Sequence, residues 1–572
     1  MKAQKKRRRA TLVLFAILAL AALVRLGHLT CHRAAPLGRP EEQFLYSDIR
    51  AFSVWAKGIA AGDLLCRETY HPYMEWMEEI APLETFEAWW GGKEIYHQAP
   101  LYPYLLALSY TLAGSPLPLL LFQVGLALLA IHLLYRLGRR FLDERAGLAA
   151  AAAAALFAPA VVLDALVLRS SLIASLTIIT TWLLLELRRR PGPGRGAAAG
   201  VLLGLGILLK PTGLLLALLG PILLLTLLRP PGPVRRWLPA LAAGLLLCLA
   251  PLAARNLAVG APVTALGTRG PETIYQANNR HADPGFFQVP PAGEYRAAME
   301  KAQGSLFAAL GTAIGTWPEE GRLAWWLWHL GRKLQCTFLD YEHPNNTNFY
   351  YYRRQTPGLS RLPTFGWYAG LAAVGLVLLV RRTSRRKELL LPLAAFLTLL
   401  AGLLIAFVHG RYRMPPALLL ALPLGATCST LLHWLGRRRW LPAALAGLAV
   451  VLLSWYSFAG APTRVSFQDG GPPTFYRRQA SHLIQALAAE RFAEYEYAAR
   501  ELLRRGEKEA AEAHLDGHLA RLRAIGRDHA ADRDRVLGSI LAAQQSRNLD
   551  RAADLYTEMG LREKAARLRR KR

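Results

Sequence analysis

The chain has 572 residues, 53% of them hydrophobic, and a formal net charge of +29. The apolar residues are gathered in blocks long enough to cross a bilayer, which takes roughly 20 residues as a helix, so a string of ordinary water-soluble domains is excluded. The basic excess lies in short clusters between those blocks, where it orients membrane helices, and no nucleic-acid partner is expected.

The first block, "ATLVLFAILALAALVRL", follows the basic head "KKRRR" and no small-residue cleavage site ends it. It reads as a retained first helix with a cytoplasmic N-terminus. Further basic clusters stand at 136–145, 188–195, 229–236, 381–387 and 436–439. If all lie on the cytoplasmic side, the chain goes out and returns between neighbours. The breaks "LDALVLRSS", "LLKPTG" and "VHGRYRMPP" fall where the outer hairpin tips are then needed. The expectation is an all-α polytopic protein of about eleven spans: 11–29, 117–135, 147–167, 171–187, 197–209, 212–228, 237–254, 365–380, 389–407, 415–433 and 440–458. The segment 99–114 is read as interfacial or re-entrant, because a span there would turn every later arginine cluster outward.

Residues 1–460 thus form the expected membrane domain, with extracytoplasmic loops at 30–116 and 255–364, a linker at 461–474 and a helical tail at 475–572. Within the tail, "NLDRAADLYTEMGLREKAARLRR" has the helix–turn–helix pattern of half a tetratricopeptide unit, the alternative being a solvated helical tail. The tail is read as recruiting a protein partner or the acceptor. Cys31, Cys66 and Cys336 all fall on the outer side, so one disulfide among them is open.

Polar groups beside a membrane usually face a cavity. On this topology Asp48, Gln98, Asp164, Arg169, Lys210, Arg255, Asn256, Tyr275, Asn278, Asn279, Glu342, Asn345, Asn346, His409, Arg411 and Arg413 collect at one face. Each cation read singly is a side chain snorkelling to the headgroups. Together Lys210, Arg255, Arg411 and Arg413 match an anion, and a lipid phosphate at the outer leaflet is the candidate. Asp48 in "SDIRAFSVWAKGI" is either a helix cap, a role open to Ser47 as well, or a general base that takes a proton from an acceptor hydroxyl. A carboxylate and several cations at one face suit inverting sugar transfer from a lipid phosphate. A hydrolase with paired carboxylates stays open through Glu41, Glu42, Glu94 and Glu342. So do a secondary transporter, which should show internal repeats and midplane charges, and a non-catalytic scaffold displaying the tail. No cofactor is expected, and a divalent metal is left open.

The stretches "SDIRAFSVWAKGIAAGD", "IYHQAPLYPYLLAL", "YRLGRRFLDERAGLAAA", "LLGLGILLKPTGLLL", "RNLAVGAPV", "IYQANNRHADPGFF", "YEHPNNTNFYYYRR" and "HGRYRMPPALLLALP" occur in that order over roughly residues 10–460. In this the chain resembles the bacterial membrane glycosyltransferases related to dolichyl-phosphate-mannose protein mannosyltransferases and to lipid A aminoarabinose transferases. The resemblance implies a C-type glycosyltransferase fold, a polyprenyl-phosphate sugar donor, inversion at the sugar carbon and an essential acid in the first outward loop, here Asp48. Many relatives carry a second acid directly after it, where this chain has Ile49. Gln98, Tyr275, Asn278, Asn279, Glu342, Asn345 and Asn346 are then expected to line the sugar or acceptor pocket. The setting is the bacterial inner membrane, with the site and the C-terminus extracytoplasmic and an unknown glycan, lipid or protein as acceptor.

Overall fold

A computed structural model of the chain describes residues 2–31, 47–67, 69–73, 75–285, 290–343, 345–346, 349, 353, 356–459, 499, 502–503, 506–513, 515–517, 549–550 and 552–570. The chain divides into two compact units, one of residues 1–38, 51–345 and 356–461, the other of 39–50, 346–355 and 462–572. Among the described residues the structure is helical, without strands.

Seven helical segments among the described residues are long and apolar enough to cross a membrane: Arg8–Cys31, Leu117–Phe141, Ser170–Arg189, Val234–Val259, Leu359–Arg382, Arg386–Ile405 and Trp440–Ala459. Two bent pairs, Glu144–Leu156 with Ala158–Asp164 and Gly410–Leu419 with Ala421–Gly436, raise the number to nine if each is one span. This is a multi-pass membrane protein. The expected spans at 197–209 and 212–228 are the shorter apolar helices Pro193–Leu209 and Gly213–Leu228; among the described residues, length and composition by themselves mark seven to nine spans of the expected eleven. The segment 99–114 forms the short helix Leu101–Ala113, ended by Gly114 in the left-handed region.

In chain order the helices that matter below are α1 (Lys2–Cys31), α2 (Asp48–Ala60), α3 (Leu83–Trp90), α4 (Leu101–Ala113), α5 (Leu117–Phe141), α6 (Glu144–Leu156), α7 (Ala158–Asp164), α8 (Ser170–Arg189), α9 (Pro193–Leu209), α10 (Gly213–Leu223), α11 (Leu238–Val259), α12 (Arg269–Asn278), α13 (Ala292–Ala302), α14 (Leu306–Gly315), α15 (Arg322–Phe338), α16 (Phe365–Arg382), α17 (Leu390–Ile405), α18 (Gly410–Leu419), α19 (Ala421–Gly436), α20 (Trp440–Ala459) and α21 (Arg562–Arg569). Close approach of the long helices depends on glycine. A Cβ at Gly375 of α16 would overlap the Pro423 carbonyl of α19, and one at Gly200 of α9 would overlap the Leu241 carbonyl of α11.

The 57° bend between α6 and α7 is a sequence effect. Pro159 has no N–H to give to the carbonyl four residues back, and a bare carbonyl inside a membrane protein must find a donor. Arg25 of α1 fills the gap, giving Nη1 to Ala155 O at 2.9 Å and Nη2 to Ala154 O at 3.4 Å. The preceding carbonyl, Ala153 O, accepts from the Tyr368 hydroxyl. The Ala158 N–H, released by the same break, donates to Pro363 O at 3.0 Å. Arg25 also pairs through Nε with Asp164 at 2.7 Å, and both side chains are buried.

Three of the six basic clusters meet at one end of the bundle. Arg140 and Arg188 pair with the buried Glu388 at 2.8 and 3.0 Å, Arg385 does so at 3.3 Å, and Arg140 also pairs with Glu186 at 2.9 Å. The two long loops, expected on the other side, share one core: Phe86, Trp89 and Trp90 of the first pack with Tyr275, Tyr295 and Met299 of the second. None of the five cysteines is paired; Cys31 is exposed, and Cys66 and Cys336 are buried.

In the second unit, residues 552–558 and α21 are helical, with Gly560 in the left-handed region between them. Tyr556, Leu555, Met559 and Leu568 form a core with Ala511 and Leu515. Tyr556 donates to Asp516 at 2.5 Å, and Lys564 pairs with Asp516 at 2.9 Å. Most of the first expected tail stretch, "ASHLIQALAAERFAEYEYAARELLRRGEKEAAEAHLDGHLARL", and the linker lie outside the described residues.

Candidate functional site

Lys210 sits at the tip of the α9–α10 hairpin. Pro211 disfavours helical backbone at the residue before it, and Lys210 is accordingly extended, with φ −157° and ψ 129°. Gly213 then lets the chain fold back, since a Cβ there would press on the Gly206 carbonyl. The Lys210 ammonium lies 4.3 Å from the ring centre of Tyr412.

Arg411 precedes Tyr412 in α18, lies 4.5 Å from the same ring and donates to its hydroxyl at 2.7 Å. Arg169 approaches from the buried α7–α8 junction, donates to Leu209 O at 3.3 Å and lies 5.8 Å from the Phe52 ring of α2. Burial first, then the charges of Arg169 and Arg411, push the Lys210 pKa down to about 7. Arg169 and Arg411 therefore repel the Lys210 ammonium, an arrangement an anion would relieve.

Lys210 also lines a small cleft whose walls are mainly apolar, with Leu176 of α8, Leu203 of α9, Leu216 of α10 and Leu399 of α17 among them. The α7–α8 junction that carries Arg169 is held by Gln123, which donates to the Asp164 and Leu166 carbonyls at 3.2 and 3.1 Å and accepts from Tyr102 at 2.9 Å. Ser171 donates to Asp164 at 2.6 Å.

The cap of α2 is Ser47, whose Oγ accepts from the Arg50 N–H at 3.3 Å. Asp48 is the first helical residue and is half-buried. Its Oδ2 accepts from the Asn346 side-chain amide at 2.9 Å. Asn346 is held at φ 62°, a conformation asparagine tolerates better than most residues. Asn345, next to it, is half-buried.

The other expected site residues have different surroundings. Arg255 binds three carbonyls of the first loop, Leu65, Cys66 and Glu94, and lies over the Tyr96 ring. Asn256 donates to Pro262, Val263 and Ala265. Arg413 pairs with Glu342 and donates to Thr337 and Leu339 carbonyls, deep in the protein. Burial raises the Glu342 pKa while Arg413 pulls it down. Tyr275 donates to Glu294 O, Asn278 donates to Ile274 and Ile405 carbonyls, and Asn279 donates to Tyr275 and Gln276 carbonyls. Gln98 is buried where its backbone runs against Gly267.

Of the four expected cations, then, Lys210 and Arg411 come together around Tyr412, and Arg169 joins them. Arg255 and Arg413 lie among backbone carbonyls elsewhere. Tyr412 was missed in the sequence because "GRYRMPP" was read for its arginines alone; an aromatic between two arginines was the available signal. Among the described residues there is no cluster of three or more His, Cys, Asp or Glu side chains placed to hold a metal.

A multi-pass helical membrane protein with a cationic group against an apolar cleft is the class so defined. Within it, residues 97–254 match the family described as dolichyl-phosphate-mannose-protein mannosyltransferase, so the resemblance read from the motifs holds over that segment. No curated protein sequence matches the chain. Among solved structures it is similar to ArnT from Cupriavidus metallidurans bound to undecaprenyl phosphate, at 17% identity over 89% of this chain and 75% of that one, with a TM-score of 0.42. It is also similar to the Archaeoglobus fulgidus oligosaccharyltransferase tethered with an acceptor peptide, at 15% identity over 78% of this chain, with a TM-score of 0.38. The match spans 56% of that enzyme's length.

Proposed function

We propose that the protein is an inverting glycosyltransferase that moves a sugar from a polyprenyl-phosphate donor to an acceptor hydroxyl, at the extracytoplasmic face of a bacterial inner membrane. The observation that carries the proposal is the set of Lys210, Arg169 and Arg411 beside an apolar cleft that Lys210 itself lines. An isoprenoid chain suits the cleft walls, and its phosphate suits two guanidinium groups and an ammonium.

In this reading Asp48 is the general base. Its carboxylate takes the acceptor proton as the acceptor oxygen attacks the anomeric carbon, and the carbon–oxygen bond to phosphate breaks. One displacement inverts that carbon. The cations then stabilise the charge that develops on the departing polyprenyl phosphate. Asn346 holds the base, and Gln98 and Asn345 remain candidates for contacts with sugar or acceptor. The C-terminal unit would recruit the acceptor or a protein partner.

The test uses full-length protein in lipid nanodiscs with radiolabelled polyprenyl-phosphate sugars. Binding of polyprenyl phosphate that falls at least tenfold in Lys210→Ala, with label transfer lost in Asp48→Asn, is the expected pattern. Wild-type protein that neither binds the lipid phosphate nor consumes any of the donors overturns it.

A further inference from the structure

Helix α15 has two faces of opposite use. On the inner one, His329 Nε2 lies 3.1 Å from Ala277 O, and Lys333 donates to Asn278 Oδ1 and Leu404 O at 3.1 and 3.0 Å. These contacts fix the C-terminal end of α12, where helix carbonyls need partners.

The outer face is apolar. Leu323, Leu327 and Leu334 share one side of the helix and are 66%, 53% and 41% exposed. Trp326 and Trp328 flank them, also exposed, and the charges on the exposed surface are Arg322 and Arg332 alone. A helix facing water would carry polar residues there. An apolar face this wide marks a surface that something covers.

The membrane domain indicates what. Leu445, Leu448, Val451 and Leu452 form the exposed apolar side of α20, and that helix ends in exposed Trp455 and Tyr456. Exposed Trp367 at the start of α16 packs edge-on against Phe458. Tryptophan and tyrosine gather at the water–lipid boundary. The end of α15 joins this belt directly: Gln335 donates to the Tyr456 hydroxyl at 3.4 Å, Ser457 to Phe338 O at 2.8 Å, and Asp340 N to Ser457 O at 2.9 Å. The C-terminal end of α15 is thus tied to the aromatic end of α20.

We propose that α15 is an interfacial helix, with Leu323, Leu327, Leu334, Trp326 and Trp328 bedded at the headgroup–acyl boundary of the bilayer. Arg322 and Arg332 reach from it to lipid phosphates. The inference depends on the membrane reading of the fold and not on the transferase reaction.

A ketone spin label placed by codon suppression at 327, and separately at 300 as a solvent reference, leaves the native cysteines in place. In phosphatidylcholine–phosphatidylglycerol nanodiscs, the ratio of oxygen to nickel-chelate collision rates at 327 should exceed that at 300 several-fold. Equal ratios, or exclusion of both relaxers as inside a protein interface, overturn the proposal. A second readout needs no label: brominated phospholipid should quench wild-type tryptophan fluorescence more than that of the Trp326→Phe/Trp328→Phe double variant. Equal quenching also overturns it.

Discussion

The Asn346 side-chain amide donates to Asp48 Oδ2 at 2.9 Å, joining residues 298 apart in the chain. Ser47 caps the helix, so the carboxylate at its first position is not the group that closes the helix end. A carboxylate turned by a neighbouring amide has a fixed lone-pair direction, which proton abstraction requires.

The first prediction tests Asp48 as the proposed base and Asn346 as the residue that positions it. Asp48→Asn should lower turnover by about 10²–10⁴-fold. Asn346→Gly keeps the left-handed backbone and removes only the amide. It should lower kcat about tenfold with little change in donor KM, as expected of a positioning group. Full activity in Asn346→Gly would remove that role.

A second concerns which cations meet the donor. Lys210→Ala and Arg411→Ala should weaken polyprenyl-phosphate binding while the melting temperature in detergent stays near wild type. Arg413→Ala should instead strip Glu342 of its buried partner, a change that costs about 3–5 kcal/mol. Donor titrations and thermal unfolding, run side by side, decide it.

A third follows from the Lys210 pKa of about 7. The ammonium is charged below that value and neutral above it. A phosphodiester keeps its charge over this range, so binding above pH 7 takes up a proton at Lys210. The donor Kd should rise between pH 7 and pH 9, approaching about tenfold per pH unit. Lys210→Arg should flatten the profile, since arginine stays charged. A flat wild-type profile would place the phosphate elsewhere.

The helices were legible because a bilayer demands long apolar runs, and this chain marks their ends with arginine and proline. The breaks between helices were legible for the same reason: "LLKPTG" interrupts an apolar run with a lysine and a helix breaker. The partition of the cations was not. Arg255 and Arg411 look alike in sequence, and only the carbonyls of Leu65, Cys66 and Glu94, far away in the chain, set Arg255 apart. Arg25 was read as part of an apolar helix near its boundary. Its burial depends on two carbonyl groups and a carboxylate more than 120 residues later. The exact number of spans was less legible, because Pro193–Leu209 and Gly213–Leu228 are apolar but short.

A fourth prediction uses that arginine. Arg25→Met leaves Asp164 without its cationic partner and the Ala154 and Ala155 carbonyls without the arginine donor, and should destabilise the protein by about 3–5 kcal/mol. Combining it with Asp164→Asn should cost less than the two changes summed, because they remove the same pair. Additive losses in detergent unfolding would show that the two groups act separately.

Trp89 and Trp90 have a bearing on biosynthesis. Their packing partners Tyr295 and Met299 are encoded some 200 codons downstream, with several membrane insertions in between. At about 5–20 residues per second, the nascent loop waits roughly 10–40 seconds for the partners that complete its core. A chaperone, or the lipid surface itself, has that interval to fill, and a ribosome stalled before residue 295 would leave the loop open to protease.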